Sequence, residues 1–284
     1  MSTFSQRPTV GIDDMAAYIP QLYLPIETLA EARDLNYGKL SKGLGLLGMA
    51  VADAQEDTAT MAANAVLDLI HKNDLHPSKI GRIYLGTESA LDGAKPTATY
   101  VLEMIQDHFC DMYGPNCFLH CDVIDMTFAC IGAIDALQNT LEWAANGEDR
   151  IGIIVASDEA KYELGSGGEY TQGAGAVAAL VKQSPRLLAI NPDFGVATRP
   201  VHDFYKPIRK VSKKELIAEV AKLLPGVDET SVDIDALVQQ LSNNIDVNGI
   251  LDSNEAELAL HKVTPVFDGP YSNDCYQARI REAL

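Results

Sequence analysis

The sequence predicts an α/β fold in which a buried sheet is covered by helices on both faces. Strand-like and helix-like segments alternate from Thr9 to about Ser184, the strand-like segments are almost continuously apolar, and the connections between them are short. The chain has 284 residues, of which 47% are hydrophobic, so it can bury one large core or two closely joined halves. This composition excludes a disordered or fibrous protein.

The individual elements follow from residue type and spacing. Four segments are rich in apolar and β-branched residues and are predicted to be buried strands, namely residues 80–86, 117–124, 151–157 and 174–181. Three segments repeat apolar residues at helical spacing and are predicted to be helices, namely residues 58–71, 98–112 and 131–146.

A different pattern begins near residue 187. The segments that follow include two amphipathic helical patterns, residues 214–224 and 234–241, with almost no strand signal. We therefore predict two domains, residues 1–185 and 186–284, and a helical insertion in the second domain over about residues 210–262.

The charge balance argues against one class of partner. Lys and Arg number 22 against 40 Asp and Glu, so the net charge is −18. Phosphate backbones are bound through basic patches, and nucleic acid is therefore an unexpected partner. An anionic small ligand is not excluded, because a few local donors can outweigh a distant screened field.

Composition also bears on the compartment. No apolar stretch approaches the roughly 20 residues that cross a bilayer, and residues 1–9 lack a basic and an apolar signal region, so we expect a cytoplasmic protein without a membrane span. The five cysteines are an odd number without a small disulfide framework, which indicates free thiols in a reducing compartment.

Cys130 is the most chemically suggestive position. It lies in Asp125-Met-Thr-Phe-Ala-Cys-Ile-Gly-Ala, where a predicted strand ends and a predicted helix begins. A helix start favours the thiolate and hence a nucleophile, and the small residues Gly132 and Ala133 would let a substrate approach. The alternative is a structural cysteine packed as a small hydrophobic residue.

Glu88 is the second candidate. It follows the predicted strand 80–86 in Gly86-Thr-Glu-Ser-Ala-Leu-Asp, and functional groups of open α/β sheets gather beyond the carboxyl ends of strands. Glu88 could therefore act as a general acid or base, with Asp92 nearby. The alternative is a helix-start acid or a solvated loop charge.

Two glycine-containing segments have different meanings. Residues 165–176 form a glycine-rich turn that leads into a strand of small residues and allows close backbone approach to a neighbour or a ligand, although turn chemistry alone explains part of this pattern. Gly43-Leu-Gly-Leu-Leu-Gly has the letters of a dinucleotide fingerprint, but no strand precedes it, and we predict no nucleotide site there.

Metal binding is considered at one segment. Residues 244–255 have the spacing of an EF-hand loop, with Gly249 at the sharp turn and helix-like residues 255–261 after it. Asn244 replaces the usual leading Asp, so a helical hairpin without metal is the simpler interpretation, and any calcium binding is expected to be weak. No Cys/His cluster has zinc spacing, and no metal is predicted.

Taken together, several short stretches resemble the hydroxymethylglutaryl-CoA synthase family of the thiolase superfamily, in order and spacing over about 200 residues. They are Gly43-Leu-Gly in the segment leading to residues 57–65, Gly86-Thr-Glu-Ser with Asp92 and Lys95, Ala129-Cys130 followed by Gly132, Ala156-Ser-Asp with Tyr162, Gly167-Gly-Glu-Tyr-Thr-Gln-Gly-Ala-Gly-Ala, Asp203-Phe-Tyr-Lys-Pro207, and Asp268-Gly with Tyr271-Ser and Cys275-Tyr.

The resemblance implies a fold and an activity. The fold would be the thiolase-like layered αβαβα fold, with a complete first half and a partial second half. The activity would be the condensation of acetyl-CoA with acetoacetyl-CoA to hydroxymethylglutaryl-CoA for the mevalonate pathway, by a dimer that needs no cofactor beyond these substrates. An acyl carrier protein could instead present the substrate, as in polyketide β-branching relatives, and a non-catalytic half that only binds a partner is a further alternative.

The resemblance also implies residue roles. Cys130 would take the acetyl group, and Glu88 would transfer the protons when the acetyl carbon attacks a ketone. Tyr162 matches a position near the bound acyl group, and the small residues around Gly167 and Thr171 would line the acyl tunnel.

Three departures from the family pattern stand out. Ile131 replaces the tyrosine that follows the nucleophile, and the segment over about residues 210–262 interrupts the pattern. The family's catalytic histidine lies in a Phe-His-x-Pro motif that would come after residue 284, and none of the six histidines lies in such a motif. His202 stands where the family has an aromatic residue, so we do not assign it a catalytic role. Because the third catalytic group of the family is missing, we expect this chain alone to condense acyl-CoA slowly or not at all.

Overall fold

The computed structural model describes residues 8–212, 233, 236, 257–261, 264–266 and 268–284. The chain divides into two compact units, Met1–Val196 and Ala197–Leu284. The first unit extends beyond the predicted boundary at residue 185, because its sheet takes in a short strand at Leu188–Ala189.

Strands and helices alternate through the first unit, as the sequence pattern predicts. In chain order its elements are β1 (Val10–Tyr18), β2 (Leu22–Pro25), α1 (Ile26–Ala32), β3 (Gly48–Val51), α2 (Thr58–Lys72), β4 (Ile80–Gly86), α3 (Thr97–Tyr113), β5 (Asp122–Met126), α4 (Gly132–Ala145), β6 (Ile151–Ala160), β7 (Gly173–Gln183) and β8 (Leu188–Ala189).

Six strands form one mixed sheet in the order β5-β4-β6-β7-β1-β8. Strands β5, β4 and β6 are parallel, and β7, β1 and β8 are added through antiparallel pairs. Because the carboxyl ends of parallel strands lie at the same edge, β4, β5 and β6 bring their following residues together there. This edge carries the candidate site.

Helices cover both faces of the sheet, which confirms the predicted layering. Helices α2 and α3 pack on one face, where Met61, Val66 and Leu69 of α2 are completely buried. Helix α4 packs on the other face through residues such as Leu141. Each fully buried aliphatic side chain contributes about 1.5–3 kcal/mol, so both layers are held mainly by apolar burial.

The start of helix α2 is fixed by its own sequence. Asp57 is the N-cap, and its carboxylate accepts the Thr60 N–H at 2.8 Å, while the Thr60 hydroxyl accepts the Asp57 N–H at 2.7 Å. This reciprocal capping box satisfies two backbone donors that the first helical turn leaves open.

A small layer formed by β2, β3 and α1 was not predicted. Strands β2 and β3 pair antiparallel, and α1 buries Ile26 and Leu29 in a third apolar cluster. Residues Lys39–Gly43 form a π-helical turn. No strand therefore leads directly into the segment Gly43-Leu-Gly-Leu-Leu-Gly, as the sequence predicts.

One predicted strand is shorter than expected. The predicted strand over residues 117–124 begins only at Asp122, because Cys117 and Phe118 lie in consecutive turns closed by hydrogen bonds from Leu119 N–H to Asn116 and from Cys121 N–H to Phe118. Their burial arises from packing under helix α3 and not from a place in the sheet. The apolar pattern therefore identified burial correctly and secondary structure wrongly.

The described part of the second unit contains β9 (Ile208–Ser212), β10 (Glu257–His261) and α5 (Gly269–Ala283). Strands β9 and β10 pair antiparallel, from Glu257 opposite Ser212 to His261 opposite Ile208. The helical prediction for residues 257–261 is therefore wrong. The predicted helical insertion over about residues 210–262 begins and ends in strands, β9 and β10. The alternating letters Glu-Leu-Ala-Leu-His also suit a strand, and pairing with β9 decides between the two.

The other predictions for this insertion lie outside the described residues. They are the helices over 214–224 and 234–241 and the EF-hand-like loop over 244–255. Among the residues that the structure describes, no helix is both long and apolar enough to span a bilayer.

Candidate active site

Two glycines bring the predicted site residues together at the carboxyl edge of the sheet. A Cβ atom on Gly86, the last residue of β4, would lie 2.0 Å from the backbone N of Ala133, and a Cβ atom on Gly132 would lie 2.2 Å from the carbonyl oxygen of Met126. Only glycine fits such backbone contacts. Gly86 and Gly132 therefore allow α4 to approach β4 and β5, and the expectation that Gly132 and Ala133 leave room for a substrate stays a prediction.

Cys130 lies in the tight turn that precedes helix α4. Ala129 adopts a left-handed backbone conformation with φ of +38°, which costs a non-glycine residue about 1–2 kcal/mol. The carbonyl of Phe128 accepts the N–H groups of Ile131 and Gly132 at 3.0 and 3.1 Å, which closes the turn. The packed glycine contact behind the turn supports this strained conformation.

Cys130 is also the accessible thiol of the chain. All five cysteines lie in the described residues and are free, and Cys130 is the exposed one among them, whereas Cys117 is buried. The alternative of a cysteine buried as a small hydrophobic residue is therefore wrong.

The electrostatic environment keeps this thiol protonated. Partial burial raises the pKa of Cys130, the negative charges of Glu88 and Asp158 raise it further, and the backbone N–H of Cys130 itself lowers it only in part. The predicted net lowering of this pKa by the helix start is therefore wrong, because burial of the thiol, together with the two carboxylate charges, outweighs it.

Glu88 is held by a network on the neighbouring strand. Its backbone N–H donates to Oδ1 of Asp158 at 2.7 Å. The hydroxyls of Thr87 and Ser89 donate to the same oxygen, each at 2.9 Å. Three consecutive residues after β4 therefore share one acceptor on β6, and this fixes the backbone position of Glu88.

Helix α2 supports the same loop from the other side. The Thr58 hydroxyl donates to the carbonyl of Ser89 at 2.8 Å, and the Ser157 hydroxyl donates to the carbonyl of Thr58 at 2.7 Å. The Glu159 N–H donates to the Ser89 hydroxyl at 2.9 Å. Strand β6, the Glu88 loop and the start of α2 therefore form one connected unit.

Asp158 is the site residue that the sequence analysis missed. It belongs to the stretch Ala156-Ser-Asp and follows the buried part of β6, so the rule that placed Glu88 at a strand end applies to it equally. The signal was therefore present in the sequence.

Asp92 has a local role and does not join this network. Its carboxylate accepts the N–H groups of Ala94 and Lys95 at 2.7 and 2.8 Å. These backbone hydrogen bonds, with the Tyr100 hydroxyl and the charge of Lys95, hold the pKa of Asp92 below its usual range. For Asp92 the structure supports the loop interpretation.

The glycine-rich segment connects β6 to β7 and starts at the same edge of the sheet. Tyr162 donates its N–H to the side-chain oxygen of Gln172 at 2.8 Å. The Thr171 hydroxyl donates to the carbonyl of Gly168 at 2.7 Å. A Cβ atom on Gly167 would have no neighbour within 4 Å, so this glycine faces open space.

An ion pair between the buried Glu169 and the more exposed Arg33 fixes this segment to the end of helix α1. Glu169 accepts two hydrogen bonds from Arg33, at 2.7 and 2.8 Å, and the Gly165 N–H at 2.7 Å. The Arg33 guanidinium lowers the pKa of Glu169 against the opposing effect of burial, and the Gly165 N–H adds to the lowering. These hydrogen bonds hold the glycine-rich segment in place. The roles of Tyr162, Gly167 and Thr171 in ligand binding stay predictions.

Ile131 supplies an apolar surface next to the thiol. Its side chain is 45% exposed and follows Cys130 directly. Among the described residues, no group of three or more His, Cys, Asp or Glu side chains has an arrangement that could hold a metal ion.

In the second unit, Asp203 and His202 have their own partners. Asp203 accepts the hydroxyl of Ser272 and, at 2.9 Å, the N–H of Asp268. Although burial raises the pKa of Asp203, these hydrogen bonds and the Phe204 N–H bring it below its usual value. The ring of His202 packs on Tyr205, with 4.6 Å between the ring centroids.

Most of this chain is similar in sequence to known proteins. The family model for the hydroxymethylglutaryl-coenzyme A synthase N terminal matches residues 6–185. The hydroxymethylglutaryl-CoA synthase of Haloferax volcanii is 37% identical over 202 residues, which cover 70% of this chain and 44% of that protein. The enzyme of Enterococcus faecalis is 37% identical over 199 residues, which cover 70% and 49%.

Solved structures agree on the fold. The structure of MvaS in complex with 3-hydroxy-3-methylglutaryl coenzyme A superposes with a TM-score of 0.71 at 30% identity and covers 98% of this chain and 52% of that chain. A hydroxymethylglutaryl-CoA synthase complexed with CoA gives a TM-score of 0.70 at 26% identity, covering 97% and 54%. The fold is therefore thiolase-like, and the chain spans about half the length of the relatives it matches.

Proposed function

This chain belongs to the hydroxymethylglutaryl-coenzyme A synthase family, and on that premise we propose that it serves acyl-CoA condensation, with Cys130 as acyl acceptor and Glu88 as acid/base. The observation that carries the proposal is the Gly86–Gly132 contact, which seats the Cys130 turn against the strand end that leads to Glu88. The charge of Glu88 also acts on the Cys130 thiol.

The first step is acyl transfer from acetyl-CoA. Sγ of Cys130 attacks the thioester carbonyl, the bond from that carbon to the CoA sulfur breaks, and acetyl-Cys130 forms. Because burial and the neighbouring carboxylates raise the pKa of the thiol, its proton must leave during the attack. The departing CoA sulfur takes that proton and leaves as CoA thiol, so the step balances without an outside base.

The second step forms a carbon–carbon bond. The carboxylate of Glu88 removes a proton from the acetyl methyl group, whose acidity the thioester increases. The resulting carbanion adds to the ketone carbon of acetoacetyl-CoA, and the protonated Glu88 returns its proton to the oxygen that becomes the tertiary hydroxyl. Water then hydrolyses the thioester to Cys130, releases hydroxymethylglutaryl-CoA for the mevalonate pathway and restores the thiol.

The hydrogen bonds to Asp158 hold Glu88 in a position that suits the role of base. Its backbone is tied to Asp158 and its side chain is half-buried, so the carboxylate starts from a fixed point at the sheet edge. A fixed base can remove a proton from a bound acyl group without an ordering cost at each turnover. The apolar side chain of Ile131 supplies a surface for the methyl group.

Separate trapping of the two steps tests this assignment. The protein is first treated with acetyl-CoA, then with acetoacetyl-CoA, and the mass of the Cys130 peptide is followed. We expect Glu88→Gln to accumulate the acetyl adduct without conversion to the hydroxymethylglutaryl adduct, whereas Glu142→Gln, on the exposed face of α4, should behave as the parent. Conversion by Glu88→Gln at the parent rate would show that Glu88 is not the base.

The acyl donor and the assembly state belong to the same proposal. We propose CoA thioesters as substrates and a homodimer as the working form. Repeating the first step with an acetylated acyl carrier protein measures the alternative donor, and faster acetylation from the carrier would favour it. Sedimentation of the protein as a well-behaved monomer would contradict the dimer.

A further inference from the structure

Two histidines from different helices meet on the surface of the first unit. His71 lies in the last turn of α2, and His108 lies in α3, 37 residues later. Their Nε2 atoms are 3.1 Å apart, and both side chains are exposed. This pair lies outside the Cys130 site, and its wide sequence separation explains why no spacing motif revealed it.

The distance between the two nitrogens suits a shared metal ion. With metal–nitrogen bonds of 2.0–2.1 Å, two ligand nitrogens are about 2.8–3.0 Å apart at a right angle and about 3.3–3.4 Å apart at a tetrahedral angle. The observed 3.1 Å lies between these values. The rings meet edge to face, at 80° with 5.2 Å between centroids, so the nitrogens approach without stacking of the rings.

The two rings are held in place from below. Phe109 is 3% exposed, and its ring lies 5.2 Å from that of His71 and 4.9 Å from that of His108, measured between centroids. Packing against a buried aromatic ring restricts both imidazoles before any ion arrives. A chelating pair that is already oriented binds more tightly, because less side-chain freedom is lost.

A direct hydrogen bond satisfies the pair only with one tautomer combination. One Nε2 must carry the proton and the other must present its lone pair. A metal ion uses the lone pairs of both atoms, and imidazole nitrogen is a preferred ligand of zinc, nickel and copper.

We propose that His71 and His108 form a two-histidine site for a divalent transition-metal ion such as Zn²⁺, with water as the remaining ligands. Such an ion would link the end of α2 to α3. Helix α2 also contacts the candidate active site at its other end, through Thr58. Since no group of three ligand side chains exists among the described residues, the site should exchange its ion readily.

Calorimetric titration with Zn²⁺ tests the site on the intact chain. The parent protein should bind Zn²⁺ with a component that His71→Ala and His108→Ala each weaken about tenfold or more, because either change leaves a single ligand. His76→Ala is the matched control, since His76 is also exposed but its Nδ1 is directed at Ser78. Equal binding by the parent and both single variants would overturn the proposal.

A second measurement does not depend on the variants. Imidazole nitrogen NMR of the parent protein should show that Zn²⁺ perturbs the Nε2 signals of His71 and His108 together, at the same metal concentration. Perturbation of the Nε2 signal of only one of the two histidines would contradict a shared site. Zn²⁺ binding that leaves both Nε2 signals unchanged would contradict it as well.

Discussion

The backbone N–H of Glu88 donates a 2.7 Å hydrogen bond to Oδ1 of Asp158. This contact joins the loop after β4 to the neighbouring strand β6. The same oxygen accepts the hydroxyls of Thr87 and Ser89, so one carboxylate fixes three consecutive residues. Asp158 is in addition one of the two charges that raise the pKa of Cys130.

The first prediction concerns the contribution of Asp158 to the stability of the fold. Asp158→Ala removes an acceptor shared by three donors, one of them on the fully buried Thr87, and should lower the free energy of unfolding by about 1–3 kcal/mol. Asp158→Asn keeps an acceptor oxygen and should lose less. Urea unfolding measures both, and a larger loss for Asn than for Ala would contradict the shared-acceptor account.

The second prediction concerns the ionisation of Cys130. Because the negative charge of Glu88 raises the pKa of this thiol, Glu88→Gln should lower it and move the pH profile of alkylation toward lower pH. At pH 8, below the parent pKa, the variant should therefore react faster with iodoacetamide. Glu142→Gln is the control, and a profile that shifts to higher pH in Glu88→Gln would refute the electrostatic assignment.

The third prediction ranks the thiols. Burial raises the pKa of Cys117 and raises that of Cys121 to about 12, while Cys130 is the exposed cysteine among the five. Limited iodoacetamide labelling with peptide mapping should therefore modify Cys130 first. Preferential labelling of Cys110 or Cys117 would be incompatible with this ranking.

The fourth prediction tests the glycine contact. Gly86→Ala places a Cβ atom against backbone atoms of α4 and should destabilise the first unit by about 1–3 kcal/mol or more, since backbone must move. Gly167→Ala, which meets open space, is the matched control and should change stability little. Equal thermal unfolding midpoints for the two variants would show that the contact is loose.

The fifth prediction concerns Arg33 and Glu169. Arg33→Ala leaves the nearly buried Glu169 without its cation and should cost about 1–3 kcal/mol, a value reduced from that of a fully buried pair because Arg33 is 35% exposed. The lowered pKa of Glu169 means that the ionised carboxylate stabilises the fold above its ordinary value of 4.5, and this stabilisation is lost as the pH falls through the folded-state pKa. Urea unfolding at pH 7 and at low pH measures both effects, and a destabilisation by Arg33→Ala that is larger at low pH than at pH 7 would contradict this sign.

Much of the sheet could be predicted because its strands differ sharply from their surroundings. Residues 80–86 coincide with β4, and β6 and β7 extend the predicted ranges by a few polar or glycine residues at their ends. Strand β1 was not delimited, because Asp13 and Asp14 interrupt its apolar pattern; Asp13 is buried through ion pairs with Lys182 and Arg186 that the sequence does not show.

The site was predictable in part for the same reason. Cys130 and Glu88 follow predicted strands, and their chemistry is visible in the residue types. The direction of the Cys130 pKa shift was not predictable, because it depends on burial of the thiol in the folded chain and on the charges of Glu88 and Asp158. The contact between Gly86 and Gly132 and the meeting of His71 with His108 likewise arise only when distant segments pack.

The most direct test of the central claim is the site of acetylation by acetyl-CoA. Incubation of the protein with acetyl-CoA, followed by acid quenching and peptide mass mapping, should place an acetyl thioester on Cys130. The adduct should be absent from Cys130→Ala and still present in Glu88→Gln, whose defect lies in the later step. An acetyl adduct on another cysteine of the parent protein, or one that persists in Cys130→Ala, would contradict the account.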